Sequence, residues 1–87
     1  MQVVYKYLAN IGDTTILMLP KGAKILTVQK QDPYTCFWVL HTAEGTLIEH
    51  RNILRVGTGY TFDDTKQYEY IGTVKDGPLV WHYFEVV

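Results

Sequence analysis

Short runs of alternating or wholly apolar residues, each closed by a turn-forming cluster, set the strongest limit on what this chain can become. The clusters are Asn10-Ile11-Gly12-Asp13, Pro20-Lys21-Gly22, Asp32-Pro33-Tyr34, Ala43-Glu44-Gly45, Gly57-Thr58-Gly59 and Asp76-Gly77-Pro78. Punctuation at this density leaves no room for an ordinary helix, and no segment shows a 3.6-residue pattern. The runs predict strands over Gln2–Ala9, Thr14–Leu19, Ala23–Gln31, Thr35–His41, Thr46–Val56, Tyr68–Lys75 and Leu79–Val87, with Tyr60–Gln67 as a loop. Strands spaced by about 8–12 residues are the mark of a small antiparallel sandwich or barrel. The expected fold is therefore all-β, of about seven strands, as a single domain over residues 1–87.

Composition agrees. Val, Ile, Thr and the aromatics fill 37 of 87 positions, against three alanines. Asp76-Gly77 between two alternating runs is the best local hairpin signal. The first two strands are expected to pair as a hairpin around Asn10–Asp13. In the third, Leu26 and Val28 alternate against Ile25, Thr27, Gln29 and Gln31. In the fourth, Phe37, Val39 and His41 share one face and Cys36, Trp38 and Leu40 the other. Two apolar faces place that strand centrally or against another copy.

Size and charge narrow the functional classes. Area scaling gives about 14,600 Å² for the unfolded chain and about 5,300 Å² for the folded one, a thin margin that homo-oligomer formation would improve. Eight basic and nine acidic residues leave a net charge of −1, which excludes a protein that coats long nucleic acid. Cys36 stands alone, so no intramolecular disulfide forms and a reducing cytoplasm is expected. The longest apolar run, Cys36–Leu40, is far short of the roughly 20 residues that span a membrane. Met1–Lys6 shows neither a basic leader nor a cleavage site, so no signal peptide is read.

Five phrases, in order and spacing, resemble a family of small phage and prophage proteins. They are Met18–Leu26 (MLPKGAKIL), Phe37–Leu40 (FWVL), Val56–Tyr60 (VGTGY), Glu69–Thr73 (EYIGT) and Leu79–Glu85 (LVWHYFE). The family often carries His where this chain has Tyr60. The resemblance implies a short viral accessory protein with a β fold, in the cytoplasm of an infected bacterium. It implies no catalytic residues.

The residues themselves offer little chemistry. His41, His50 and His82 lack any zinc-ligand spacing, and scattered histidines are the commoner case, so no metal or cofactor is expected. The chain has no serine, and Cys36 lies in an apolar run that disfavours a thiolate. Asp63-Asp64 reads as a solvated turn. The expectation is a protein without enzymatic activity.

Binding is better represented. Gly57-Thr58-Gly59-Tyr60 would let backbone amides approach a ligand, with the Thr58 hydroxyl and Arg55 available to a phosphate. A plain chain reversal is the simpler reading. Gln29 and His82 complete the candidate ligand set. On the last strand Val80, His82, Phe84 and Val86 lie on one side, and Leu79, Trp81, Tyr83 and Glu85 on the other. Trp38, Trp81 and Tyr83 are candidate interface residues or core. The expected function is an oligomeric counter-defence binder that sequesters a small nucleotide-like host signal. The alternative is a protein–protein inhibitor of a host defence enzyme, acting through an aromatic patch or edge strand.

Overall fold

The computed structural model describes residues 1–44 and 47–87. Seven strands form: β1 (Gln2–Leu8), β2 (Thr14–Pro20), β3 (Lys24–Gln31), β4 (Tyr34–Thr42), β5 (Ile48–Gly57), β6 (Tyr68–Asp76) and β7 (Leu79–Val86). They make two antiparallel sheets, one ordered β1-β4-β3 and the other β2-β5-β7-β6. The fold is the all-β sandwich that the turn spacing predicts. No helix among the described residues is long and apolar enough to cross a membrane. The expected Ala43-Glu44-Gly45 turn and the start of the fifth strand at Thr46 fall partly outside the described residues.

Strand parity builds the core. Leu17 and Leu19 of β2, Ile53 of β5, Val74 of β6 and Tyr83 of β7 meet Val28 of β3 and Phe37 and Val39 of β4. Phe37 packs edge-on against Tyr83, with ring centroids 5.6 Å apart. Strand β4 is central in its sheet, as its two apolar faces imply. Cys36, on the opposite face from Phe37, is a buried free thiol. His41 is also committed to structure. Its Nδ1 lies 2.8 Å from the Thr42 carbonyl, which can only accept, so Nδ1 carries the proton and Nε2 accepts from Tyr7 at 3.2 Å.

Two expectations about strand arrangement are overturned. Strands β1 and β2 do not form a hairpin: β1 pairs with β4 and β2 with β5, in different sheets. The connecting residues act as a corner instead. Arg55 donates its N–H to the Asp13 carbonyl and Asn10 its own to the Thr15 hydroxyl, which turns the chain from one sheet to the other. In β3 a bulge between Ile25 and Thr27 breaks the alternation. Ile25 therefore joins Val28 inside, while Leu26 is left exposed on the outer side.

The sheets approach closely where β3 meets β6. A Cβ placed on Gly72 would lie 2.9 Å from Cγ1 of Val28, a stiff β-branched side chain that is itself buried. Gly72→Ala is expected to lower stability by about 1–3 kcal/mol through overpacking. Val28→Ala in the same chain should recover part of that loss in urea melts. No recovery would locate the strain elsewhere.

The molecule is flat, 40 × 33 × 16 Å. Its accessible surface of 6011 Å² exceeds the area-scaling value of about 5,300 Å², as expected when one dimension is only two sheets thick.

Candidate ligand-binding site

Sequence neighbours around residues 55–60 separate across the two faces of the four-stranded sheet. Strand β5 pairs with β7 in the register Arg55–Tyr83, Val56–His82 and Gly57–Trp81. Arg55, Tyr83 and Trp81 therefore point inward, and Val56 and His82 outward. Tyr83 is only 2% exposed and belongs to the core, which removes it from any interface. Burial also pushes its phenol above the ordinary value, so it stays a neutral donor. Arg55 lies over the Trp81 ring, 3.8 Å from guanidinium carbon to ring centroid. It is thus turned away from the face that carries His82. Gln29 is in the other sheet altogether, where its amide oxygen accepts from the Trp38 indole at 2.9 Å. The seven-residue ligand set does not converge as one site.

Five of its members do come together. Gly57, Thr58, Gly59 and Tyr60 form the exit from β5, and His82 stands beside them. The phosphate-cradle expectation for this turn is corrected, because its amides are partly used. Thr58 donates to the Val80 carbonyl and Tyr60 to the Gly57 carbonyl, while Gly59 takes φ +86° to close the turn. The segment is a chain reversal that commits the Thr58 and Tyr60 amides to its own backbone.

The side chains around this turn make two adjoining clefts. The first, of about 230 Å³, is lined by Gly57, Thr58, Tyr60, Leu79, Val80 and Trp81, among others. A Cβ on Gly57 would lie 3.4 Å from Trp81 and 3.6 Å from the Tyr60 ring, so both rings converge on the gap that this glycine leaves. The second, of about 210 Å³, is lined by Thr58, Tyr60, Phe62, His82 and Phe84. Its wall is a hydrogen-bonded chain. The Thr58 hydroxyl is 2.7 Å from His82 Nε2, the Thr73 hydroxyl 3.0 Å from Nδ1, and the Tyr70 hydroxyl 2.5 Å from that of Thr73. Neutral imidazole has one donor and one acceptor, so one threonine donates to the ring and the other accepts.

The loop after β5 closes the second cleft. Phe62 packs on Phe84 and Tyr68, with centroids 5.4 and 5.3 Å apart, and Tyr70 also reaches Phe84. This cover explains why Val56 is buried although it faces away from the core. Asp63 fixes the loop. Thr65 donates its hydroxyl and amide to the Asp63 carboxylate, which holds that carboxyl below its ordinary value. Tyr68 donates to the Asp63 carbonyl at 2.7 Å. Thr73 and Tyr70 were not among the sequence candidates. Cross-strand pairing of Thr73 with His82 and of Tyr70 with Phe84 brings them here, and no local motif marks it.

Of the remaining histidines, His41 lies in the other sheet and His50 is exposed on β5. Among the described residues no three His, Cys, Asp or Glu side chains are placed to hold a metal ion.

No curated protein and no solved structure shows significant similarity to this chain. A family model does match, over residues 1–87. The chain therefore belongs to the family described as a domain of unknown function, DUF7352.

Proposed function

We propose that this protein is a non-enzymatic binder that sequesters a small molecule bearing a planar heteroaromatic ring of nucleobase size. The observation that carries this reading is the gap over Gly57, bordered by the Trp81 and Tyr60 rings. Aromatic walls favour a flat π-system, and stacking of one base on an aromatic side chain is worth about 1–3 kcal/mol. The Thr58 hydroxyl lines the same cleft and, while bonded to His82, keeps a lone pair for a donor on the ring. Drug-sized ligands occupy roughly 300–1,000 Å³, so about 230 Å³ suits one ring system with the rest of the ligand outside. A second copy of the chain would supply the missing walls, consistent with a flat subunit of thin burial margin. The resemblance to small phage proteins supports a counter-defence setting, where holding a nucleotide-like host signal requires affinity and no chemistry.

A second reading, inhibition of a host defence protein, is favoured by one observation. The outer side of the three-stranded sheet exposes Val4, Leu8 and Leu26 around the half-buried Trp38 and Leu40.

Thermal shift against nucleosides, cyclic nucleotides and ADP-ribose-type compounds tests the first reading. A ligand at 100 times its Kd adds about 2.7 kcal/mol, which raises Tm by about 10–20 °C in a domain of this size. Tyr60→Ala should weaken binding by about 10-fold or more while leaving the unliganded Tm unchanged, since Tyr60 is 76% exposed. No shift with any member of the panel would overturn the proposal, and stoichiometric capture of one host protein would favour the second reading.

A further inference from the structure

Strand β5 turns two arginines inward, four residues apart, and they are the only arginines in the chain. Their surroundings differ sharply. Arg51 is saturated: Nε and Nη2 grip the two oxygens of Glu85, and Nη1 donates to the Ala23 carbonyl at 2.7 Å and to Glu49. Arg55 is equally enclosed, its side chain also 18% exposed and beside the Tyr83 phenol, yet it has one charged partner. That partner is Asp13, 3.4 Å from Nη2 and itself 77% exposed. Arg55 Nε is buried with no acceptor, and so is the Nε1 of Trp81, on which Arg55 lies. A guanidinium stacked on an aromatic ring keeps its donors in the guanidinium plane, free to form a fork. Leaving such donors buried and unpaired is costly.

A cavity of about 310 Å³ adjoins Arg55 at this end of the sandwich, lined also by Asn10, Lys30, Tyr34, Thr35 and Tyr83, among others. We infer that this cavity is a binding site for a small carboxylate held by the Arg55 guanidinium, which lines it. The charges around it select the ligand. Lys30 is already paired with Asp32 and with Asp76, which also lines the cavity, so Arg55, opposite only the exposed Asp13, is the one cation left to a ligand that displaces Asp13. A singly charged, planar carboxylate fits that balance and the fork geometry better than a phosphate dianion. The ligand's carboxylate takes the position on Nη2 that exposed Asp13 holds only loosely. This site lies on the inner side of the sheet, and it stands or falls independently of the ring-binding cleft.

The Arg Nε–H region of a ¹H–¹⁵N spectrum tests it, because two arginines give two signals. Titration with acetate at constant ionic strength should move the Arg55 signal saturably and leave that of Arg51 in place. Asp13→Asn, a change at an exposed position, removes the competing carboxylate and should tighten acetate binding at least threefold. Inorganic phosphate should bind more weakly than acetate. The inference is overturned if the Arg55 signal does not respond to acetate, if chloride moves it equally, if Asp13→Asn leaves the affinity unchanged or weaker, or if phosphate binds more tightly. Arg55→Lys assigns the signal by its loss. Should that variant fail to fold, through-bond assignment and the Asp13→Asn titration still decide the question.

Discussion

Phe37→Ala is expected to remove about 3–5 kcal/mol of stability, lowering Tm by about 15 °C or more. Phe37 is the largest fully buried side chain, on the central strand of its sheet, and its edge contact with Tyr83 ties the two sheets together. At about 0.05–0.15 kcal/mol per residue, a chain of this length has roughly 4–13 kcal/mol in total. The loss is thus about a quarter of the total at the least, and at the lower end of that range it leaves the variant near its unfolding midpoint. Trp38→Ala is the matched control. Trp38 is larger but points to the outer side and is half-buried, held by its bond to Gln29. Urea denaturation should show Phe37→Ala costing at least twice as much as Trp38→Ala. Equal losses would mean that the outer side of this sheet carries as much packing as the inner one.

That contrast follows from strand parity, which is also what made most of the fold legible. Period-two runs and turn clusters located all seven strands to within about two residues, because each is a local property of the chain. Partner choice is not local. The five residues between β1 and β2 resemble a hairpin connection, yet only the Arg55–Asp13 and Asn10–Thr15 bonds show that they turn a corner between sheets. The bulge at Leu26 likewise leaves no mark in a pattern where Ile25, Leu26 and Val28 are all apolar. For the site, adjacency in sequence was the misleading guide. Arg55 stands next to Val56, but the pairing of residue 55 with Tyr83 and of 56 with His82 sends them to opposite sides. Parity within β7 already separates Trp81 and Tyr83 from His82. What was missing was the register that ties β5 to it.

The same register sets the second large effect, at the opposite end of the sheet from Arg55. Breaking the Arg51–Glu85 pair from either side is expected to cost about 3–5 kcal/mol, and replacing both partners far less. Glu85 is only 7% exposed and stands directly across β6–β7 from Glu69. Arg51→Met would therefore leave a buried carboxylate facing another carboxylate. Glu85→Leu leaves Arg51 with the Ala23 carbonyl and Glu49, so it should be the milder of the two. The hydrogen bonds that Arg51 donates to Glu85 hold its guanidinium above its ordinary value, so the arginine stays charged. The double variant Arg51→Met, Glu85→Leu exchanges a desolvated ion pair for apolar volume beside Ile25 and Ile71, which partly line the same cavity. Its stability should return to within about 1 kcal/mol of the parent. A double-mutant cycle in urea then gives a coupling of several kcal/mol. Additive losses would show that each residue is held by its other neighbours and that the salt bridge is incidental to the fold.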